Sequence, residues 1–318
     1  MKGIHLLLSL VVVCWSCSPL EDNGPLQEEG TIIDRLVIVP DIQYYTNNDS
    51  RLKYLTSIVD FINDEDNKIS TSIQVGDLTY QNKTEQWRNA EDFFYSKISP
   101  NVVSVFCLGN HDYGNNGRSK ERHSNIPSSL SPVMDIKAEN FEYENYVRFF
   151  SIGDMPFAIL VLEFAPRNEA LEWADEVISS NPAVNFIVLT HAFLNNEGKL
   201  FDSSDPLCNN EGSPKSYYMG GDYINDSKEI FSKIITNNNN VKMVLCGHCV
   251  SKNYVEHLQV ENSFGQYVHC IMVNYQHYKE GGLGYVGLLD YVDGQFVLKT
   301  YSTFNRKFGP KEIRFTLN

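Results

Sequence analysis

The chain has 318 residues, of which 42% are hydrophobic and 12% aromatic, so a wholly disordered polypeptide is excluded. The formal net charge of −14 repels nucleic-acid phosphates at long range, and no long basic run offers a nucleic-acid groove. A phosphorylated substrate stays open, because bound divalent cations reverse the sign of charge locally.

The first element is a targeting segment. Lys2 precedes an apolar run from Ile4 to Trp15, which is too short to span a bilayer comfortably and matches the h-region of a signal peptide. Ser16-Cys17-Ser18 then places a small residue before a cysteine, the pattern of a bacterial lipoprotein signal. Residues 1–17 are therefore expected to be a signal, with Cys17 lipidated and the protein exported to the cell envelope; secretion with cleavage nearby is the alternative. Residues 18–31 carry Pro, Gly, Asn and acids and are expected to be a solvated tether.

From residue 32 onward the pattern is that of one α/β domain. Residues 35–39 are strand, ended by Pro40. Between Arg51 and Asn63 the apolar residues Leu52, Leu55, Ile58, Val59 and Ile62 form a helical stripe. Strand 71–75, helix 85–98 and strand 102–108 follow, a β-α-β-α-β succession that predicts neighbouring parallel strands. Periodicity disappears from Gly114 to about Glu144, where Arg118, Lys120, Arg122 and His123 cluster in a loop expected at the mouth of a site or folded over the sheet edge. A hairpin (146–152 and 157–163), helix 169–179, strand 186–190, a second long loop (194–221), helix 222–237 and strand 241–246 come next. Beyond Gly247 the period falls to two residues, and 267–273, 285–291, 295–301 and 313–317 are expected to be antiparallel strands, with Asp293-Gly294 as a hairpin turn. The fold expected is a four-layer αββα sandwich of two facing mixed β-sheets with helices outside.

Five strand ends share one grammar, an apolar run followed by a polar residue that can ligate. They are Val37-Ile38-Val39 into Asp41 and Gln43, Ser72–Val75 into Gly76-Asp77, Val102–Leu108 into Gly109-Asn110-His111-Asp112, Phe186–Leu189 into His191, and Val241–Cys246 into Gly247-His248. Ligands gather outside the carboxyl ends of strands in open α/β sheets, so these residues predict a metal site there. Cys246 and Cys249 also form a C-x-x-C, but the pair straddles Gly247-His248 and has no second copy, so the His accounts for the stretch better.

In this order the five blocks resemble the calcineurin-like metallophosphoesterases, over most of the chain after the leader. The stretch Asn274-Tyr275-Gln276 with Gly284-Tyr285 is similar to secreted bacterial members. The resemblance implies one or two divalent ions (Mn, Fe or Zn) and attack on a phosphate mono- or diester by a hydroxide bridging two of them. It implies that Asp77 serves both ions, that Asn110, His191 and His248 complete the second position, and that Asp41 and Gln43 serve the first. His111 would contact the phosphoryl group or protonate the leaving group, held in its tautomer by Asp112. Two departures stand out: Gln43 occupies a family His position, and Val250 occupies the second His of Gly-His-x-His. The first ion is then held loosely, or His257, His269 or His277 supplies the missing ligand. The substrate class implied is a phosphorylated small molecule or polymer. A catalytically impaired envelope protein that binds a ligand in the same pocket is the alternative.

Overall fold

The four consecutive residues Leu36, Val37, Ile38 and Val39 set the layering. Leu36 and Ile38 enter one apolar cluster, Val37 and Val39 another, and all four are fully buried. A strand covered on both faces has this continuous apolar character, with alternate side chains going to opposite sides. Each such aliphatic side chain contributes about 1.5–3 kcal/mol through burial.

The computed structural model describes residues 30–114, 122–139, 143–217, 219 and 223–317. The expected signal, Cys17 and nearly all of the tether lie outside the described residues, as do Arg118, Lys120 and Asp222.

Two mixed sheets face each other. We number the strands β1 (Ile32–Val39), β2 (Ile69–Gln74), β3 (Val103–Phe106), β4 (Ile136–Lys137), β5 (Tyr146–Ile152), β6 (Met155–Val161), β7 (Asn185–Leu189), β8 (Val241–Cys246), β9 (Val255–Glu261), β10 (Tyr267–Val273), β11 (Tyr285–Val292), β12 (Gln295–Ser302) and β13 (Lys307–Phe315). The first sheet has the order β13-β12-β11-β1-β2-β3 and the second β4-β5-β6-β7-β8-β10-β9. Within the first, β1, β2 and β3 are parallel; within the second, β6, β7 and β8 are parallel. Between the sheets, Ile38, Ile73 and Val105 join Ile159, Ile187 and Leu245 in one core. Helix α1 (Gln43–Thr46) is a single turn, and α2 (Leu52–Asn63) covers the outer face of the first sheet with the stripe Leu52, Leu55, Ile58, Val59 and Ile62. After α3 (Thr84–Phe93), α4 (Asn168–Ser180) packs on the outer face of the second sheet, where Leu171, Val177 and Ile178 meet Phe186, Val188 and Val244. The four-layer expectation holds.

Several elements differ from expectation: the helix expected over 85–98 ends at Phe93, with a separate 3₁₀ turn at Tyr95–Lys97, and the short strand β4 falls in the stretch 114–144 expected to lack regular structure. The helix expected over 222–237 is α5 (Ser227–Ile230), capped by Asp226, which continues as one π-helical stretch (Phe231–Ile235). Phe231, Ile234 and Ile235 all enter the core. Strand β9 is absent from the sequence expectation, because an edge strand carrying Glu256, His257, Gln259 and Glu261 shows little apolar alternation. Strand β13 starts at Lys307 rather than 313, and its edge position tolerates Pro310.

Candidate metal centre

The carboxyl ends of β1, β2, β3, β7 and β8 bring the ligand-type residues together. Asp41 follows β1, Asp77 follows β2, Asn110-His111-Asp112 form a single 3₁₀ turn after β3, and His191 and His248 follow β7 and β8. Asp77, His191 and His248 present ligand atoms within 4.8 Å of one another. Asp77 and His248 sit at φ 55° and 64°, left-handed backbone that non-glycine residues adopt at some cost and that functional sites store.

Each imidazole has one nitrogen committed to a carbonyl. His191 Nδ1 lies 2.7 Å from Val75 O, which leaves Nε2 facing Asp77 Oδ1 at 3.2 Å. His248 Nε2 lies 2.9 Å from Gly212 O, which leaves Nδ1 with its lone pair. Backbone carbonyls fix tautomers in this way at metal-ligating histidines. Burial, with His191 nearby, pushes His248 down to about 3, so its ring is neutral. Burial would lower His191 too, but the Asp77 and Asp41 carboxylates hold it up at about 9. Burial would raise Asp77, and the neighbouring His191 and His111 overcome it, so Asp77 stays below the usual carboxylate range. A carboxylate and two imidazoles, each with one ring nitrogen not taken by a backbone carbonyl, suit a borderline divalent ion, which displaces the Nε2 proton of His191 on binding. No side chain intervenes at Gly109, where a Cβ would collide with Asp77 Oδ1 and His191 Nε2. The donor set and this gap fit a cation at Asp77, His191 and His248, with Asn110 lining the same cleft.

The description of the calcineurin-like phosphoesterases matches residues 34–251, about two-thirds of the chain. The chain belongs to the calcineurin-like phosphoesterase family. No curated protein sequence matches it. Among solved structures, a purple acid phosphatase from yellow lupin seeds superposes over 91% of this chain with a TM-score of 0.54 at 15% identity, and the chain spans 54% of that protein, about half its length. A conserved Streptococcus pneumoniae protein described as a predicted phosphoesterase (8% identity, 89% of this chain and 97% of that one, TM-score 0.37) and Vps29 from Cryptosporidium parvum (9%, 90% and 100%, 0.35) also match.

The phosphoesterase cleft has a volume of about 870 Å³ and contains Asp77, Asn110, His111, His248 and Val250. His111 stacks on Tyr80, with ring centroids 5.3 Å apart, and its Nδ1 lies 2.7 Å from Tyr80 O. The tautomer of His111 is thus held by Tyr80, which corrects the role expected of Asp112. Asp112 instead accepts from Leu78 N (3.1 Å), Thr79 N (2.8 Å), Thr79 Oγ1 (2.9 Å) and Gly109 N (2.9 Å), bracing the β2 and β3 loops against each other. A buried carboxylate meets those backbone donors better than it could serve a ring in the cleft.

Asp41 is built differently from Asp77. Its Oδ2 accepts from Asn274 Nδ2 at 2.8 Å and Gln276 Nε2 at 3.1 Å, and its Oδ1 from His248 N at 3.3 Å. Gln43 Nε2 donates to Asp77 Oδ2 at 3.1 Å and to Gln276 Oε1 at 2.6 Å. Sequence reasoning did not assign Asn274 and Gln276 to the site. The signal was present: strand 267–273 runs into Asn274-Tyr275-Gln276 by the same grammar as the five assigned strand ends.

Two candidate substitutes for a missing ligand lie elsewhere. His257 Nε2 and His269 Nδ1 are 3.0 Å apart, and both rings stack on Phe315. Each imidazole is thereby taken up in the β9–β10 pair. His277 lines the cleft and is exposed. Arg122 turns away from the cleft to the buried Glu163 (2.9 Å), and His123 bonds Asn125, so neither forms the mouth of the site. Cys246 and Cys249 are buried free thiols, each pushed up to about 12 by burial, which does not suit a redox pair.

Proposed function

We propose that this protein is a metal-dependent hydrolase of phosphate esters working in the cleft at Asp77, His191 and His248. One observation carries the reading: three ligand atoms lie within 4.8 Å, and a backbone carbonyl sets the tautomer of each imidazole. A divalent ion bound there (Mn, Fe or Zn) supplies Lewis acidity and a nucleophile from water at neutral pH. Among the described residues that line the cleft none is Lys or Arg, so within these walls the ion and the hydrogen-bond donors offset the phosphate charge. That balance favours the singly charged diester over the dianionic monoester. His111 is oriented through Nδ1, and its Nε2, when it also carries a proton, can donate to a phosphoryl oxygen or pass that proton to the leaving oxygen. Tyr44 and Tyr80 form an aromatic wall beside it. Export to the cell envelope through a lipidated Cys17 belongs to the same reading and rests on the sequence of residues 1–18.

The test is to strip the protein with chelator, reload it with Mn²⁺, Zn²⁺ or Fe²⁺, and measure hydrolysis of bis- and mono-(p-nitrophenyl) phosphate. Activity should return with metal, be greater on the diester, and fall about 10²–10⁴-fold in His111→Ala. No turnover with any ion, beside intact ion binding, would favour the ligand-binding envelope protein instead.

A further inference from the structure

The surroundings of Asp41 disagree with a second ion. A cation needs lone pairs directed at it, and here the carboxylate oxygens meet N–H groups. Asp41 accepts three, from Asn274, Gln276 and the His248 backbone, and Asp77 Oδ2 accepts one from Gln43. The amide directions are mutually determined. Gln276 Nε2 lies between two acceptors, Asp41 Oδ2 and His248 O, both at 3.1 Å. Gln276 Oε1 accepts from Gln43 Nε2, and Asn274 Oδ1 accepts from Gln276 N at 3.0 Å, so Asn274 Nδ2 is the end that meets Asp41. Reversing any one amide would set oxygen against oxygen. Val250, beside them in the cleft, has no lone pair to offer.

We propose that the side-chain amides of Gln43, Asn274 and Gln276 replace the first metal ion of this phosphoesterase, so that the centre is mononuclear and its one ion sits at Asp77, His191 and His248. This rests on the reading of that cluster as a metal centre. The amides bring partial positive charge to Asp41, whose buried carboxyl would otherwise need a cation. The bridging of two ions implied by the family resemblance has no place in this arrangement. Gln276 becomes the residue that decides the metal count, since its amide touches Asp41, Gln43 and the His248 backbone together.

The experiment reads metal content rather than activity. Chelator-stripped protein is saturated with Mn²⁺, desalted, and assayed by plasma mass spectrometry, with anomalous diffraction placing the ion. One ion per chain, at Asp77, His191 and His248, is the expected result. Two ions per chain, the second beside Asp41, would overturn the inference and leave the phosphoesterase reading standing. No bound ion would overturn both. Gln276→Glu exchanges a donor for a carboxylate facing Asp41, and the count should rise from one to two. A Gln276→Glu protein with an unchanged circular-dichroism spectrum and still one ion would overturn the role given to Gln276. The wild-type count decides the main point even if that variant fails to fold.

Discussion

His191 Nδ1 and the carbonyl oxygen of Val75 are 2.7 Å apart, a bond that joins the end of β7 in one sheet to the end of β2 in the other. It orients the imidazole toward Asp77 and ties the two halves of the site together. His191→Ala is therefore expected to weaken Mn²⁺ or Zn²⁺ binding by at least about 100-fold, beyond the usual effect of losing an outer partner alone. Competition against a chelating dye measures this. Affinity within threefold of wild type would remove His191 from the ligand set.

Asp112 separates a bracing role from a catalytic one. Replacing it with Ala leaves the backbone N–H groups of Leu78, Thr79 and Gly109 without their acceptor. At about 1–3 kcal/mol for each buried donor, the loss of stability is about 3 kcal/mol or more, a fall in Tm of roughly 5–10 °C. Calorimetry checks this. A variant with wild-type Tm and a displaced pH–rate profile would restore the role of ring orienter.

Gly109 is needed for space rather than for an unusual backbone angle. A Cβ at this position would run into Asp77 Oδ1, Asp77 N and His191 Nε2. Gly109→Ala should abolish stoichiometric metal binding while far-ultraviolet circular dichroism stays close to wild type. Calorimetric titration with Zn²⁺ gives the answer, and unchanged binding would show that the β3 loop can shift without loss.

The His257–His269 pair gives a pH dependence remote from the cleft. Burial and the neighbouring His257 lower His269 from its ordinary 6.5 to about 4. A histidine depressed in the folded state favours folding only while neutral. Its contribution is complete above pH 6.5 and is lost as pH falls through the window from about 6.5 to about 4. Urea midpoints at pH 7.5 and 4.5 should therefore differ less in His269→Gln than in wild type. An equal difference in both proteins would place the acid sensitivity elsewhere.

The layering, and the ligand-type residues at the strand ends, were legible because both depend on local pattern. Leu36, Val37, Ile38 and Val39 announce a doubly covered strand, and the polar residue after each of five apolar runs marks where a parallel sheet opens. Strand β9 was not legible, since it is an edge with few apolar residues, and the apolar spacing of Phe231, Ile234 and Ile235 is the same for an α-helix as for the π-helical stretch observed.

Residue type and order by themselves determined that Asp77, Asn110, His191 and His248 are of ligand kind and lie at strand ends. The tertiary structure alone decided which atoms face which. The Tyr80 carbonyl, and not Asp112, meets His111, and the side-chain amides of Asn274 and Gln276 with the His248 N–H close over Asp41. The direction of the Asp41 side chain depends on partners up to 235 positions away, and spacing along the chain carries no record of it.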